Sequence, residues 1–367
     1  MEALSKRKLE HIKICLEKDV EYARLKPGFD DVFLVHSCLP ELDLDEVRLE
    51  ASFLGRRFSA PIAISALTGG PRLSALINRS LAEAAQRLGI LLELGSQRPA
   101  LEDPSLKVSY KEVRELAPEA FVVANVGAVQ AASNGLDFVK AAVDMVDADA
   151  VAVHLNPLQE AVQPEGEARF KGVLEALEAL TDHVGVPVIV KETGCGIARE
   201  EALALERAGA SAIDVAGAGG TCWAIIEAYR ALGVGNEKGY LLGMAFKEWG
   251  VPTAVSIVEA REATKLPIIG SGGVRSGLDV AKAIALGADL AGIALPLLKP
   301  ALMGAWAVVE ALERVMDELR LAMFLTGSRS VKDLKRARVV VTGLTAEWLR
   351  ARGIDASKLA SKSLNGE

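Results

Sequence analysis

A chain of 367 residues, half of them hydrophobic and a quarter charged, is long enough for one large barrel with added segments or for two domains. The formal net charge of −7 gives no basic face of the kind nucleic acid requires, although a few local Arg, Lys and His suffice for a small anionic ligand. Cys15, Cys38, Cys195 and Cys222 are scattered without a CxxC pair, which argues against a disulfide scaffold or a zinc site.

Taken in chain order, MEALSKRKLEHIKICLEKDVEYA has the mixed charge of an amphipathic helix rather than a signal peptide. A short hairpin is expected next, across FLVHSCLP and VRLEASFLGRRF, so that residues 1–57 form an N-terminal extension. Apolar runs then recur about every 30 residues, the length of a βα unit. They are PIAISA (61–66), ILLELG (90–95), FVVANV (121–126), AVAVHL (150–155), PVIVKE (187–192), SAIDVAG (211–217), PIIGSG (267–272) and LAGIAL (290–295). Their nearly continuous hydrophobicity fits strands buried on both faces. Amphipathic stretches such as LINRSLAEAAQRLG and LDVAKAIALGA lie between them and end in Gly before the next strand, as a helix C-cap does. Eight such units predict an α/β fold, a (β/α)8 TIM barrel over residues 58–300, with an open doubly wound sheet as the structural alternative. The connection from Ala218 to Val255 is far longer than the usual 2–6 residues and reads as a lid or binding loop. Residues 301–367 form a C-terminal helical segment, with a long apolar helix at 301–323. The most apolar stretch, 290–309, is broken by Pro296, Lys299 and Pro300, so a cytoplasmic protein without a membrane span is expected.

Barrels of this kind carry their sites at the C-terminal ends of the strands. Those ends read ALTGG (66–70), GSQR (95–98), NVG (125–127), HLNPLQE (154–160), KE (191–192), GAGGT (217–221), GSGGVR (270–275) and ALP (294–296). GSGGVRSG is a Gly-rich turn entering a helix with Ser276 as N-cap; its N–H groups and the helix dipole favour a phosphate, while tight turns also need glycine. Lys191 closes a strand otherwise made of Val, Ile and Val and should meet an anion or an electron-rich ring, or else pair internally with Glu192 or Glu93. Glu160 offers oxygen to Mg2+, yet no second carboxylate stands at ligand spacing, so by itself it reads as a solvated loop residue rather than a metal ligand. Arg7, Lys8 and His11 share one helix face, which by itself is a solvated basic face; Arg98 is the better anion ligand.

Together SKRKLEHI (5–12), ALTGG, GSQR, NVG, HLNPLQE, KETGCGI (191–197), GAGGTCW (217–223) and SGGVRSGLDVAKAIALGA (271–288) resemble the type 2 isopentenyl-diphosphate isomerases over nearly the whole chain. The resemblance implies interconversion of isopentenyl and dimethylallyl diphosphate with FMN and Mg2+, and with NADPH reducing the flavin. It implies FMN contacts from Ala66, Leu67, Thr68, Ser96, Asn125, Lys191 and Thr221, with Gly272, Gly273, Ala294 and Leu295 around the FMN phosphate. The substrate would touch Arg7, Lys8, His11, Ser96, Gln97, Arg98, His154 and Asn156, with Gln159 over its hydrocarbon and Glu160 on the metal. Gln159, Lys191 and His154 form the implied catalytic set, and a homotetramer or octamer the implied assembly. Cys195, in TGCG, stands where the family would have a larger apolar residue. Moving a double bond calls for an acid and a base at an unactivated alkene, and a reduced flavin can supply both with no net redox.

Three other readings are available. A 2-hydroxy-acid oxidase needs a late His–Arg base, but the last histidine, His183, precedes the fifth run. An IMP dehydrogenase-like enzyme would use Cys222 as nucleophile and leaves HLNPLQE unexplained. The third is a flavin-binding barrel without turnover.

Overall fold

The computed structural model describes residues 2–361, with side chains from Lys6 onward. Eight short parallel strands close a barrel: β4 (Ile62–Ile64), β5 (Leu91–Glu93), β6 (Val122–Gly127), β7 (Ala150–His154), β8 (Val188–Lys191), β9 (Ala212–Asp214), β10 (Ile268–Ser271) and β11 (Leu290–Ile293). They neighbour one another in chain order and β11 returns to β4. Every strand residue but His154 is buried, the reason the runs lacked polar alternation. The helices between them turn their apolar faces to the strands and cap as the sequence suggests. Helix Arg72–Leu88 ends at left-handed Gly89, and helix Gly277–Leu286 starts at Ser276, whose hydroxyl accepts from Asp279 N.

The extension departs from the expected hairpin. The hairpin forms within VRLEASFLGRRF alone, from β2 (Ala51–Phe53) to β3 (Arg56–Phe58), turning through Leu54 and Gly55 at φ 46 and 77. That is the two-residue turn a twisted ribbon prefers. The segment β1 (Val32–Leu34) instead pairs antiparallel with β12 (Val339–Val341), stapling the N-terminal extension to the C-terminal segment. The 301–367 region carries helix Ala305–Leu325, which lies against helices Arg72–Leu88 and Gly277–Leu286, and helix Gly343–Ala351.

The long connection is helical rather than an open lid. Helices Trp223–Gly233 and Glu237–Ala245 pack on each other, and Ala218, Cys222, Ala224 and Ile225 form a small apolar cluster with Tyr22 and Val162. The N-terminal helix, Glu2–Glu17, lies against the first of them, and the chain after it is strapped down. Tyr22 Oη donates to Gly194 O (2.9 Å) and Trp249 O (2.8 Å), and Glu248 accepts from the N–H groups of Ala23, Arg24 and Leu25. Arg7, Lys8 and His11 are thereby carried over the C-terminal rim of the barrel. No described helix is long and apolar enough to cross a membrane.

Candidate active site

The C-terminal strand ends open into one cavity. Its wall brings together Arg7, Lys8, His11, Ala66, Leu67, Thr68, Ser96, Arg98, Asn125, His154, Asn156, Gln159, Glu160, Lys191, Thr221, Gly272, Gly273, Ala294 and Leu295. Gln97 is the exception among the expected residues. It is fully buried and turned into the scaffold: Nε2 donates to Ala142 O (2.9 Å) and Oε1 accepts from Asn125 N (2.9 Å). Its amide ties β6 to the helix behind it, so the GSQR segment delivers Ser96 and Arg98 to the cavity and keeps Gln97 for the wall.

Register places three polar residues side by side at the rim, since His154 aligns with Lys191 and Lys191 with Asp214. Lys191 Nζ lies 3.1 Å from Asp214 Oδ2 and donates to Glu192 O (2.9 Å). The internal partner of Lys191 is thus Asp214, itself anchored by the Ser271 hydroxyl (2.5 Å). Burial works against the ammonium, but Asp214 and then Glu93 outweigh it, and the Lys191 pKa is raised. Glu93, buried beneath, is pushed up to about 7 by burial and by Asp214. Glu192 turns to the N–H groups of Thr193 (2.6 Å), Gly194 (2.7 Å) and Cys195 and shapes that loop. His154 Nδ1 pairs with Asn125 Oδ1 at 2.7 Å, so Nδ1 carries the ring proton and Nε2 keeps a lone pair. Burial and the neighbouring Lys191 depress the His154 pKa to about 3, which leaves the imidazole neutral at physiological pH.

HLNPLQE becomes a strand end and one short helix, Pro157–Val162. Asn156 Nδ2 donates to Gln159 Oε1 (3.1 Å) and to Glu160 Oε1 (3.2 Å), and Gln159 Nε2 donates to Glu227 Oε1 (3.0 Å). Glu227 also takes His11 Nε2 (2.9 Å) and Arg230 Nη1 (2.7 Å). Burial opposes its charge, yet His11 and Arg230 hold its pKa down to about 2. Glu227 and Arg230 are the principal residues that sequence reasoning missed. The available signal was a Glu–Arg pair three apart inside the apolar run WAIIEAYRAL, a spacing that helices use for ion pairs.

Glu160 is no solvated loop residue. It is buried, and its oxygens accept only from neutral donors: Asn156, Gln163 Nε2 (2.8 Å) and Glu167 N (2.7 Å). Among the described residues no Lys, Arg or His stands at ion-pair distance from it, and no cluster of three His, Cys, Asp or Glu could hold a metal unaided. A buried carboxylate without a protein cation suits a cation that brings its remaining ligands with it.

The glycine turns are packed backbone to backbone. A Cβ on Gly220 would stand 2.4 Å from Gly273 N, and one on Gly272, at φ +105, would stand 2.3 Å from Gly217 O. At the helix that follows, the first N–H groups are already taken: Asp279 accepts from Ser276 N, and Glu318 from Gly277 N (2.6 Å). Of the turn and helix start that the sequence offers to a phosphate, the Gly272–Gly273 turn is therefore the part left open to an anion. Ser65 Oγ, in the cavity wall, is buried without a partner.

The two residues that bear on the redox readings lie outside the cavity wall. The Cys222 thiol donates to Lys247 O and its pKa is raised by burial, so it has no thiolate character. His183 sits exposed at the end of helix Val173–His183, outside the cavity.

Residues 165–341 match the FMN-dependent dehydrogenase family. The barrel is similar to a mandelate oxidase structure at a TM-score of 0.63 and 22% identity, covering 93% of this chain and 99% of that one, which is a likeness of fold alone. Over nearly its whole length the chain is similar to isopentenyl-diphosphate delta-isomerases of two organisms. The protein of Methanothrix thermoacetophila is 52% identical over 97% of this chain and 99% of its own. That of Methanothermobacter thermautotrophicus is 49% identical over 98% and 100%. At this identity and coverage the chain belongs to the isopentenyl-diphosphate delta-isomerase family, on the FMN barrel that its strand ends had outlined.

Proposed function

We propose that the protein interconverts isopentenyl and dimethylallyl diphosphate, using FMN, with Mg2+ on the diphosphate and NADPH as the source of reducing equivalents. The observation that carries this reading is chemical. The cavity gathers Arg7, Lys8 and Arg98 for an anion, while the groups at the strand ends offer no well-suited acid for an alkene: His154 is neutral down to about 3, Lys191 is locked to Asp214, and Gln159 does not titrate.

The residues fit FMN. Lys191 and Asn125 face the cavity, Ser65 Oγ lacks a partner, and the Gly272–Gly273 turn is a cradle that a Cβ would fill. Lys191, Thr68, Ser96, Asn125 and Thr221 would hold the ring system, and Gly272, Gly273, Ala294 and Leu295 its phosphate. When bound and reduced, the flavin supplies a ring nitrogen that gives and takes a proton without net redox. The chain's own residues do the rest. Arg7, Lys8 and Arg98 bind the anionic end and so restrict the alkene to one position. The charged Glu227 fixes the Gln159 amide, Nε2 outward to the carboxylate and Oε1 to Asn156, leaving little rotational freedom in the group placed over the hydrocarbon. Glu160 would ligate Mg2+ through its own oxygens, the substrate and water completing the shell. Exposed Leu241, Leu242, Phe246 and Trp249 on the helical cap support a homo-oligomer, and we place the protein in the cytoplasm.

The test is an anaerobic assay of allylic isomer formation with FMN, NADPH and Mg2+ omitted in turn. Full turnover with oxidised flavin would sink the proposal. The pH dependence gives a second check. Burial, then Arg7, lowers the Lys8 pKa to about 7, and a bound diphosphate raises it again. Binding therefore takes up a proton. Affinity is complete below about pH 7 and falls as pH rises above it, by at most about tenfold per unit. Calorimetry in buffers of different ionisation enthalpy reads that proton directly; a Kd flat from pH 6 to 9 would contradict the role of Lys8.

A further inference from the structure

The loop after helix Pro157–Val162 places two carboxylates on arginines that the proposed reaction assigns to the diphosphate. Glu165 Oε1 lies 2.8 Å from Arg230 Nη2 and 3.8 Å from Arg7 Nη1. Glu167 Oε1 lies 3.2 Å from Arg98 Nη2, and its Oε2 accepts from Gln130 Nε2 (3.3 Å). Arg98 Nε already donates to Glu102 (2.7 Å), so two of its three nitrogens face carboxylates. The contrast in burial is plain: Arg7 and Arg98 are 10% and 19% exposed, Glu165 and Glu167 43% and 47%. The cations belong to the cavity wall, and the anions reach them from the solvent side. Arg7 Nε, buried, has no partner at all, so the guanidinium is not satisfied by this arrangement.

We infer that Glu165 and Glu167 are resident counter-anions of the diphosphate site, which occupy Arg7 and Arg98 between turnovers and are displaced by each incoming diphosphate. This rests on the proposed reading of those arginines. A carboxylate and a phosphate cannot share one guanidinium edge without like-charge repulsion, and the flexible, solvent-side partner is the one that yields. The consequence is an affinity set lower than the arginines alone would give. In an isomerisation, substrate and product carry the same diphosphate, so the anionic end by itself would hold the product as firmly as the substrate. Carboxylates that recapture the arginines shorten that stay. The loop also reports occupancy to the metal ligand, because Glu167 N donates to Glu160 Oε2 (2.7 Å), and a Cβ on Gly166 would stand 1.8 Å from Glu160 O.

The test is calorimetric titration of the FMN-loaded protein with pyrophosphate in Mg2+, for wild type, Glu165→Gln, Glu167→Gln and the double variant, with stopped-flow dissociation rates. Half-exposed ion pairs are weak, so each single variant is expected to tighten pyrophosphate about two- to fivefold and the double about tenfold, mainly through slower dissociation. Weaker or unchanged binding by the double variant overturns the inference and makes the carboxylates positioning groups for the arginines. Glu165→Gln covers the case of a double variant that fails to fold, since Arg230 retains Glu227 and Glu10. If the wild type shows no saturable pyrophosphate binding, the diphosphate reading itself fails, a result distinct from any ordering of the variants.

Discussion

Replacing Glu227 by Gln is expected to lower kcat by about a hundredfold while the FMN content and flavin spectrum stay those of the wild type. The carboxylate is the common acceptor of His11 Nε2, Gln159 Nε2 and Arg230 Nη1. An amide offers one acceptor oxygen where the carboxylate offers two, and its NH2 group would point at one of three donors. Gln159 would then lose its fixed orientation, and His11 would be pulled from the cavity wall. Arg230 keeps Glu10 and Glu165, so the guanidinium is not stranded and the fold survives. The expected loss of stability is of the order of 1–3 kcal/mol, that of an unmet buried donor. A variant with normal kcat and raised KM would show that Glu227 serves only the anionic end. The companion variant Gln159→Glu would place two carboxylates in contact and should be worse than Gln159→Ala.

The second large effect is expected at Glu160. Glu160→Gln should cost about a hundredfold or more in Mg2+-dependent turnover and leave FMN in place. The variant keeps the shape and one acceptor oxygen for Gln163 and the Glu167 N–H, while its NH2 would face the Asn156 amide, so a loss of the order of 1–3 kcal/mol is expected without unfolding; it also loses the buried negative charge without a protein cation. Titrating activity against Mg2+ separates the possibilities. A rightward shift of the Mg2+ curve marks a ligand, whereas wild-type activity at low Mg2+ removes the metal from Glu160 altogether.

These two residues show how unevenly the site was legible. Glu160 stood in a recognisable segment, HLNPLQE, at a strand end, where position alone made it a candidate. Glu227 lies in a connection whose length suggested a lid, and nothing local says that the helix Trp223–Gly233 turns its one acidic residue toward the N-terminal helix. The same limit explains Gln97. Its neighbours Ser96 and Arg98 face the cavity, and the difference among the three is which way a short non-repetitive segment turns between β5 and helix Arg98–Glu102. Hydrophobic pattern carries no information about that turn.

What the chain alone determined was the barrel, its strand order and the rim that bears the polar residues. Eight strands buried on both faces, joined by amphipathic helices, leave one rim for glycine and polar ends, and that is a local property of each βα unit. What only the tertiary structure decided were the long-range pairings. Val32–Leu34 finds Val339–Val341 rather than its own neighbour, Lys191 finds Asp214 rather than Glu192, and Arg7, Arg98 and Glu227 acquire partners far along the sequence. The physical reason is that charge pairing and strand pairing are set by distance in space, and closing the barrel brings together residues that sequence spacing keeps apart.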